Sequence, residues 1–444
     1  MSELNKQLGN YRWTICALVF FATTINYLDR QVISLLKPFL EGAGLFGSDP
    51  LHYESVYANI VICFQIAYAS GMLVVGGIID RFGTKIGYAI SLFGWSLAAI
   101  GHAFARSPFG FGVARAALGV PEAGNFPAAN KTIAEWFPKK ERAFATGIYN
   151  SGTNIGAIVA PLVVPWIAIT WGWQMAFIVT GAIGLIWLIF WSYIYDSPEN
   201  KLQNGKLSQQ EYDFILSDKD ELSIEESKAA AKISWFKLLT FRQTWAFFLG
   251  KLLTDPVWWF FLFWLPAFLK EQYGLKGTEV SFPIAVVYIM TTFGSVLGGW
   301  LPKYFMEHGM DANVARKRAM FIYALFPLLV LTAQYFGGYN MWFAVVIIGI
   351  AASAHQAWSA NIFTTVSDMF PKRAIASVTG IGGMAGAIGG IMIAKSAGVL
   401  FDHYKAAGDI RIGYGIMFMI CAFAYILAWT IMHLLVPKFK KIDL

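Results

Sequence analysis

The chain has 444 residues, 57% of them hydrophobic and only 14% charged, against about a quarter charged in ordinary soluble domains. That balance excludes a soluble multidomain enzyme and fits a chain that spends most of its length in lipid. The net charge of +7 argues for basic membrane flanks rather than nucleic acid, because the Lys and Arg residues sit in short gaps between apolar runs, and such residues gather on the cytoplasmic side.

A bilayer core about 30 Å thick needs about 20 apolar residues in a helix. Twelve runs meet that need, and the reading is an all-α integral membrane protein with twelve transmembrane helices. The first six spans are predicted at 13–37, 54–79, 85–106, 109–136, 142–167 and 172–195. The run after "MSELNKQLGNYRW" lacks an A-x-A cleavage site and reads as an uncleaved first span.

Span one contains "INYLDRQVISLL", with Asp29 and Arg30 side by side. A charge at the bilayer centre costs about 2.5–3.5 kcal/mol, so each must face a cavity or a partner. Adjacent helical residues diverge by about 100°, so the two cannot aim at one target. The expected arrangement puts Arg30 toward an anionic ligand, which its planar fork binds bidentately, and pairs Asp29 with Arg115. Span two carries the polar Gln65. It ends in "GGIIDRFGTK", where Asp80 and Arg81 suit a clasp between helices that makes and breaks. Span four reads "VARAALGVPEAGNFP", with Arg115 and Glu122 seven residues apart, about two turns along one helical face. Glu122 has no obvious cation one turn away and is the expected proton carrier. Asn154 in span five is a candidate cavity hydrogen-bonder. A static ion-pair network that fixes helix packing is the competing reading of the four charges. It is weakened because burial offsets attraction in such pairs.

Residues 196–241 form the one long hydrophilic segment and divide the spans six and six. The predicted domains are an N-terminal bundle, 1–195, a cytoplasmic linker, 196–241, and a C-terminal bundle, 242–444. Ser208 with Glu211 three residues on predicts a capping box and a surface helix in a mobile linker. The later spans are predicted at 243–270, 279–305, 317–336, 341–369, 374–401 and 412–436. Asp255, before Pro256, reads as a helix-start carboxylate near the favourable dipole end. Span ten, "AASAHQAWSANIFTTVSDMF", offers His355, Gln356 and Ser359 to sugar hydroxyls and Trp358 to a ring face. Packing is the alternative for His355 and Trp358. Lys395 in span eleven is expected to snorkel outward. The basic gaps put both termini in the cytoplasm.

The three cysteines, Cys16, Cys63 and Cys421, are far apart and predict neither a disulfide nor a metal site. No H-E-x-x-H, G-x-S-x-G or phosphate-binding Gly-Lys motif occurs, so no enzyme, cofactor or metal is expected.

"FPKKERAFATG" (137–147) and "FPKRAIASVTG" (370–380) repeat across the halves. With the "GGIIDRFGTK" loop and two sets of six spans, the chain resembles the major facilitator superfamily along nearly its whole length. The counterpart loop, "GGWLPKYF", has Pro302 where the acid would stand. The resemblance implies two pseudo-symmetric six-helix bundles around a central cavity, built from inverted repeats. "NYLDR" in span one, then R-x6-E and "FP" in span four, is similar to the anion:cation symporter branch, which includes bacterial sugar-acid transporters. "TDPVWWFFLFWLP" (254–266) looks like span seven of hexuronate transporters. This implies proton-coupling roles for Asp29 and Glu122, substrate and salt-bridge roles for Arg30 and Arg115, and cavity positions for Tyr27 and Tyr68. Span eleven has "GIGGMAGAIGG" where the family often has a cavity-facing Asn. The implied function is proton-coupled import of a sugar-derived carboxylate, a hexuronate such as glucuronate or galacturonate, by a monomer in the bacterial inner membrane. The alternative is an organic-anion exchanger or a carrier for another organic acid or phosphate.

Overall fold

The computed structural model describes residues 9–47, 49–217, 235–370, 372–440 and 442. Among these every regular element is helical. The first half contains α1 (Tyr11–Gly42), α2 (Tyr53–Gly101), α3 (Pro108–Glu122), α4 (Asn125–Trp136), α5 (Lys139–Trp171) and α6 (Trp173–Ile194). Short helices α7 (Pro198–Gln203), α8 (Gln209–Leu216) and α9 (Trp235–Leu238) follow. The second half contains α10 (Arg242–Tyr273), α11 (Ser281–Glu307), α12 (Ala312–Leu325), α13 (Ala333–Gly337), α14 (Met341–Met369), α15 (Lys372–Ala406) and α16 (Ile410–Leu435).

Ten helical segments among the described residues are long and apolar enough to cross a membrane. The other two predicted spans depart from that standard for physical reasons. The middle of α1 carries Asn26, Asp29, Arg30 and Gln31, all buried. The fourth span divides at Ala123–Gly124, just after Pro121, into helices of 15 and 12 residues. The two spans that fall short of plain lipid solubility are those that carry Asp29 and Arg30, and Arg115 and Glu122. The predicted boundaries otherwise hold to within several residues, except that the ninth span passes through a 3-10 segment at Phe326–Thr332 where Pro327 lacks its N–H.

The second and third predicted spans are the two arms of α2, reversed at Gly83. Its φ of 79° lies in the left-handed region, which glycine enters without a Cβ penalty. Beyond the turn Gly87 packs so close to Ile79 that a Cβ would lie 2.7 Å from the Ile79 Cα. The "GGIIDRFGTK" stretch is therefore a sharp reversal. Arg81 is exposed within it, with its guanidinium 5.8 Å from the Phe82 ring centroid. The Asp80 side chain lies outside the described residues.

Helix pairing repeats across the halves. Glycines of α5 press on the α1 backbone, at Phe20 and Thr24, as glycines of α15 press on α10, at Leu252. In the same way α3 crosses the first arm of α2, and α14 crosses α11. The halves meet where α15 packs on α2 and α11 packs on α5. At the end that carries both chain termini, Lys85 reaches Asp196 at 2.9 Å and Arg316 reaches Asp368 at 2.8 Å. Asp196 is outside the spans. Although partial burial opposes ionisation, hydrogen bonds from Asn200, Lys85 and the Ser197 N–H hold its carboxyl down at about 2.

The linker differs from expectation. Ser208 caps α8 by accepting from the Glu211 N–H at 3.2 Å, which is half of the predicted box. The Glu211 carboxylate leaves the box to accept from the Tyr11 and Arg12 N–H groups at 3.2 and 3.1 Å and to pair with the Arg12 guanidinium at 3.1 Å. This helix is docked against the start of α1 rather than free. Residues 218–234 of the linker lie outside the described residues.

Candidate functional site

The charged residues of α1 and α3 come together inside the first half. Arg30 and Arg115 are each 1% exposed, Asp29 is 3% exposed and Glu122 is fully buried. The expected Asp29–Arg115 ion pair is not formed, and Arg30 pairs within the protein instead. Arg30 Nε donates to Glu122 Oε2 at 2.6 Å, whereas neither oxygen of Asp29 has a hydrogen-bond partner among the described residues. Asp29 instead sits beside the Thr180 hydroxyl and in the field of Glu122 and Arg115, and the Thr180 hydroxyl donates to the Phe177 carbonyl at 3.3 Å. The cause is directional. Arg30 turns to Glu122 of α3 and to Trp259 of the second half. Asp29, about 100° round the helix, is carried toward α6.

Arg30 is surrounded by rings. Its guanidinium carbon lies 4.5 Å from the Tyr68 centroid, 5.0 Å from Tyr27, 5.5 Å from Phe64 and 6.0 Å from Trp259 of α10. Arg115 lies 4.5 Å from Phe64 and 5.9 Å from Phe263 of α10. Cation–π contact satisfies a guanidinium face and leaves its edge donors available. Arg30 Nη2, Arg115 Nε and Nη2, and Glu122 Oε1 have no hydrogen-bond partner among the described residues. The same holds for both polar atoms of the Gln65 side chain, both of Asn26, and Asn154 Oδ1. Buried polar groups are nearly always paired. The unpaired atoms of Arg30, Arg115, Glu122 and Gln65 lie in α1, α2 and α3 around the Arg30–Glu122 pair, which makes this cluster the candidate site.

The second half contributes differently. His355 Nδ1 is 2.7 Å from the Tyr425 hydroxyl, and its ring stacks on Trp258 at 5.3 Å. Trp358 is fully buried, edge-on to Tyr425 at 5.6 Å. Both pack within the second half, and the Trp358 indole Nε1 has no hydrogen-bond partner among the described residues. Gln356 and Ser359 are half-buried on α14. Asp255 does not start a helix, because α10 begins at Arg242. It lies in the span and pairs with Lys251 at 2.6 Å. Lys395 is exposed, as expected, with its ammonium 3.5 Å from Asn59 Oδ1 of the first half.

A second cluster, which sequence reasoning missed, closes the end away from the termini. Buried Lys37 pairs with buried Glu54 and lies 3.5 Å from Glu41, and Glu41 reaches Lys270 of the second half at 3.0 Å. The Trp264 indole donates to Glu54 at 3.4 Å, and the Tyr57 hydroxyl donates to the Phe263 carbonyl at 3.1 Å. Asp402, near the end of α15, accepts from the Glu54 and Ser55 N–H groups at 2.9 Å each and so caps the start of α2 from the other half. The signal in the sequence is faint: a Lys37–Glu41 spacing of four, and an acid near a helix end.

Comparison with known proteins agrees with this architecture. Residues 19–394 match the family model of the Major Facilitator Superfamily. The chain is 31% identical over 435 residues to the hexuronate transporter of Escherichia coli (strain K12), covering 96% of this chain and 95% of that one. It is 34% identical over 321 residues to the galacturonate transporter of Dickeya chrysanthemi, covering 72% and 90%. Among solved structures, a bacterial homologue of the human lysosomal transporter Spinster, in an inward-facing and occupied conformation, superposes with a TM-score of 0.74 at 17% identity over 97% of this chain and 98% of that one. The D-xylose-proton symporter superposes with a TM-score of 0.74 at 16% identity over 98% and 100%. Ten membrane-length helical segments among the described residues, helix pairings that repeat across the two halves, and a family match over residues 19–394 place this multi-pass integral membrane chain in the Major Facilitator Superfamily.

Proposed function

We propose that this protein is a secondary active transporter that imports a sugar-derived monocarboxylate, a hexuronate such as glucuronate or galacturonate, together with protons. The single observation that carries the reading is the Arg30–Glu122 pair, buried where the two halves meet with unpaired donors around it. A guanidinium with a free edge suits one carboxylate. Gln65, Asn154, Gln356 and Ser359 suit hydroxyls, and Tyr27 and Tyr68 line the same place. Glu122 can hold either Arg30 or a proton. When it takes the proton, Arg30 is released to the substrate carboxylate; when the proton leaves, Glu122 reclaims Arg30 and the substrate is let go. Asp29 serves as the second proton site and acts on Glu122 and Arg115 through their fields. The uronate transporters among the relatives support the substrate class.

The placement of the bonds supports alternating access. The far-end cluster closes one side in this state, and we assign the side that bears the termini to the cytoplasm of a bacterial inner membrane. Residues 1–195 and 242–444 act as the two rocking units, residues 196–241 as the cytoplasmic linker, and the monomer suffices. Asp80 and Arg81 belong to the clasp on the terminal side.

Uptake of labelled galacturonate into proteoliposomes tests the reading. Accumulation rises with an inward proton gradient, and Asp29→Asn and Glu122→Gln each abolish concentrative uptake while the protein stays folded. Uptake indifferent to the gradient, with both variants still concentrative, contradicts proton coupling. Acceleration by unlabelled anion on the far side, without any gradient effect, would identify an exchanger.

A further inference from the structure

The Lys251–Asp255 pair on α10 has no place in the scheme above, yet it faces the same space. Asp255 is one helical turn, about 6 Å, from Trp259, the residue of α10 that touches Arg30. A Cβ on Gly390 of α15 would lie 3.1 Å from Trp259 and 2.8 Å from Gln65. A Cβ on Gly386, one turn away, would lie 2.2 Å from Asp255 Oδ2. The carboxylate thus sits one layer below Gln65 and Arg30, toward the side of the termini, where Met72 and Gly383 face each other across the halves. Tyr27, whose ring carries Arg30, lies in the field of Asp255. The Asp255 side chain keeps 19% of its surface exposed, while Lys251 keeps 6%.

Lys251 has a reason to be held so. Its ammonium lies 2.6 Å from Asp255 Oδ2 and 4.3 Å from the Phe363 ring centroid of α14. Stem and head are both packed, and the outward member of the pair is the anion. Seen from the space below Arg30, the second half therefore presents a carboxylate over a masked cation. Arg30 lies 6.0 Å from the Trp259 ring centroid, and Asp255 is a further helical turn along α10, so the far end of an acid held by Arg30 extends toward the Asp255 layer.

We propose that the Lys251–Asp255 pair is a charge filter that makes the transporter selective for acids with one carboxylate over those with two. This rests on the sugar-acid reading above. A monocarboxylate held by Arg30 directs hydroxyls or a ring oxygen at Asp255, which accepts hydrogen bonds from them. A dicarboxylate of the same length directs its second carboxylate at Asp255, and like charges at short range in a poorly solvated site are strongly disfavoured. Removing the Asp255 charge unmasks Lys251, which then offers the second carboxylate a partner.

Binding to purified full-length protein, by calorimetry with acid pairs of equal length that differ in the second carboxylate (galacturonate and galactarate, gluconate and glucarate), tests the proposal. Wild type binds the one-carboxylate member of each pair more tightly. Asp255→Asn shifts the ratio toward the two-carboxylate member by about tenfold or more, and adding Lys251→Gln to it removes the shift. Lys251→Gln alone leaves a bare carboxylate and weakens binding of galacturonate by about tenfold, an arm that reads the pair even where Asp255→Asn fails to fold. The filter is overturned by an unchanged ratio in folded Asp255→Asn, by a shift that survives in the double variant, by undiminished galacturonate binding in Lys251→Gln, or by a wild type that prefers the dicarboxylates. A wild type that binds none of the four acids contradicts the sugar-acid reading itself.

Discussion

The centre of the protein and its far end are both built from buried charge, and they solve the problem in opposite ways. At the far end the charged groups are matched. Lys37 meets two acids, Glu54 accepts from Trp264, and both oxygens of Asp402 are filled by backbone N–H groups of the other half. In the centre one ion pair is surrounded by donors and acceptors without partners, Asp29 among them. A matched buried network fixes one arrangement, because breaking any member leaves a stranded charge. An unmatched one is costly until something polar completes it. The first is a closure, and the second is the place that the proposed function assigns to substrate and proton.

That contrast can be broken at the centre first. Arg30→Lys keeps the charge but loses the planar fork. Hydrogen bonds to charged groups contribute about 1.5–3 kcal/mol, so the affinity for galacturonate should fall about tenfold to a hundredfold, with little change in melting temperature. Equal affinity by calorimetry would show that Arg30 does not hold the carboxylate.

A smaller effect is expected at the far end. Asp402→Ala removes a helix cap that ties α15 to α2, a loss of about 0.5–2 kcal/mol borne by the closed state alone. The distance between spin labels placed at Leu51 and Thr278, on the two halves, should lengthen in a larger fraction of molecules. An unchanged distribution would mean that Asp402 caps α2 without latching the halves.

The smallest effect lies outside the membrane. Asp196 has its carboxyl held down at about 2 by Asn200, Lys85 and the Ser197 N–H, against the burial that opposes ionisation. A lowered carboxyl stabilises the fold above its ordinary range near about 4, and that contribution is lost as pH falls through about 2. Solvent at this partly exposed pair screens it, so Asp196→Asn should cost about 0.5 kcal/mol or less at pH 7. The difference in melting temperature from wild type should vanish by pH 2. A difference that persists there would assign the effect to packing.

The sequence already carried the twelve spans, the halves and the charged cluster, because each is a matter of local composition or of a repeated string. The break in span four was also near the surface of the sequence, in Pro121 and Gly124. What could not be read was direction. Spacing showed that Asp29 and Arg30 diverge, but only the placement of α3 and α6 shows that Arg30 turns to Glu122 and Asp29 toward Thr180. Asp255 was misread because Pro256 looked like a helix start. The α10 helix runs through both, and the spacing of four from Lys251 was the missed signal. Contacts such as Asp402 to Glu54 join residues 348 positions apart, and nothing local announces them.

The most direct measurement of the central claim is the number of protons taken up when the acid binds, from calorimetry of galacturonate binding in buffers of different ionisation enthalpy. The account predicts net uptake of a proton by wild type, as Glu122 exchanges Arg30 for H⁺, and loss of that proton in Glu122→Gln. Binding with no proton uptake in wild type, or with the same uptake in wild type and Glu122→Gln, would contradict it.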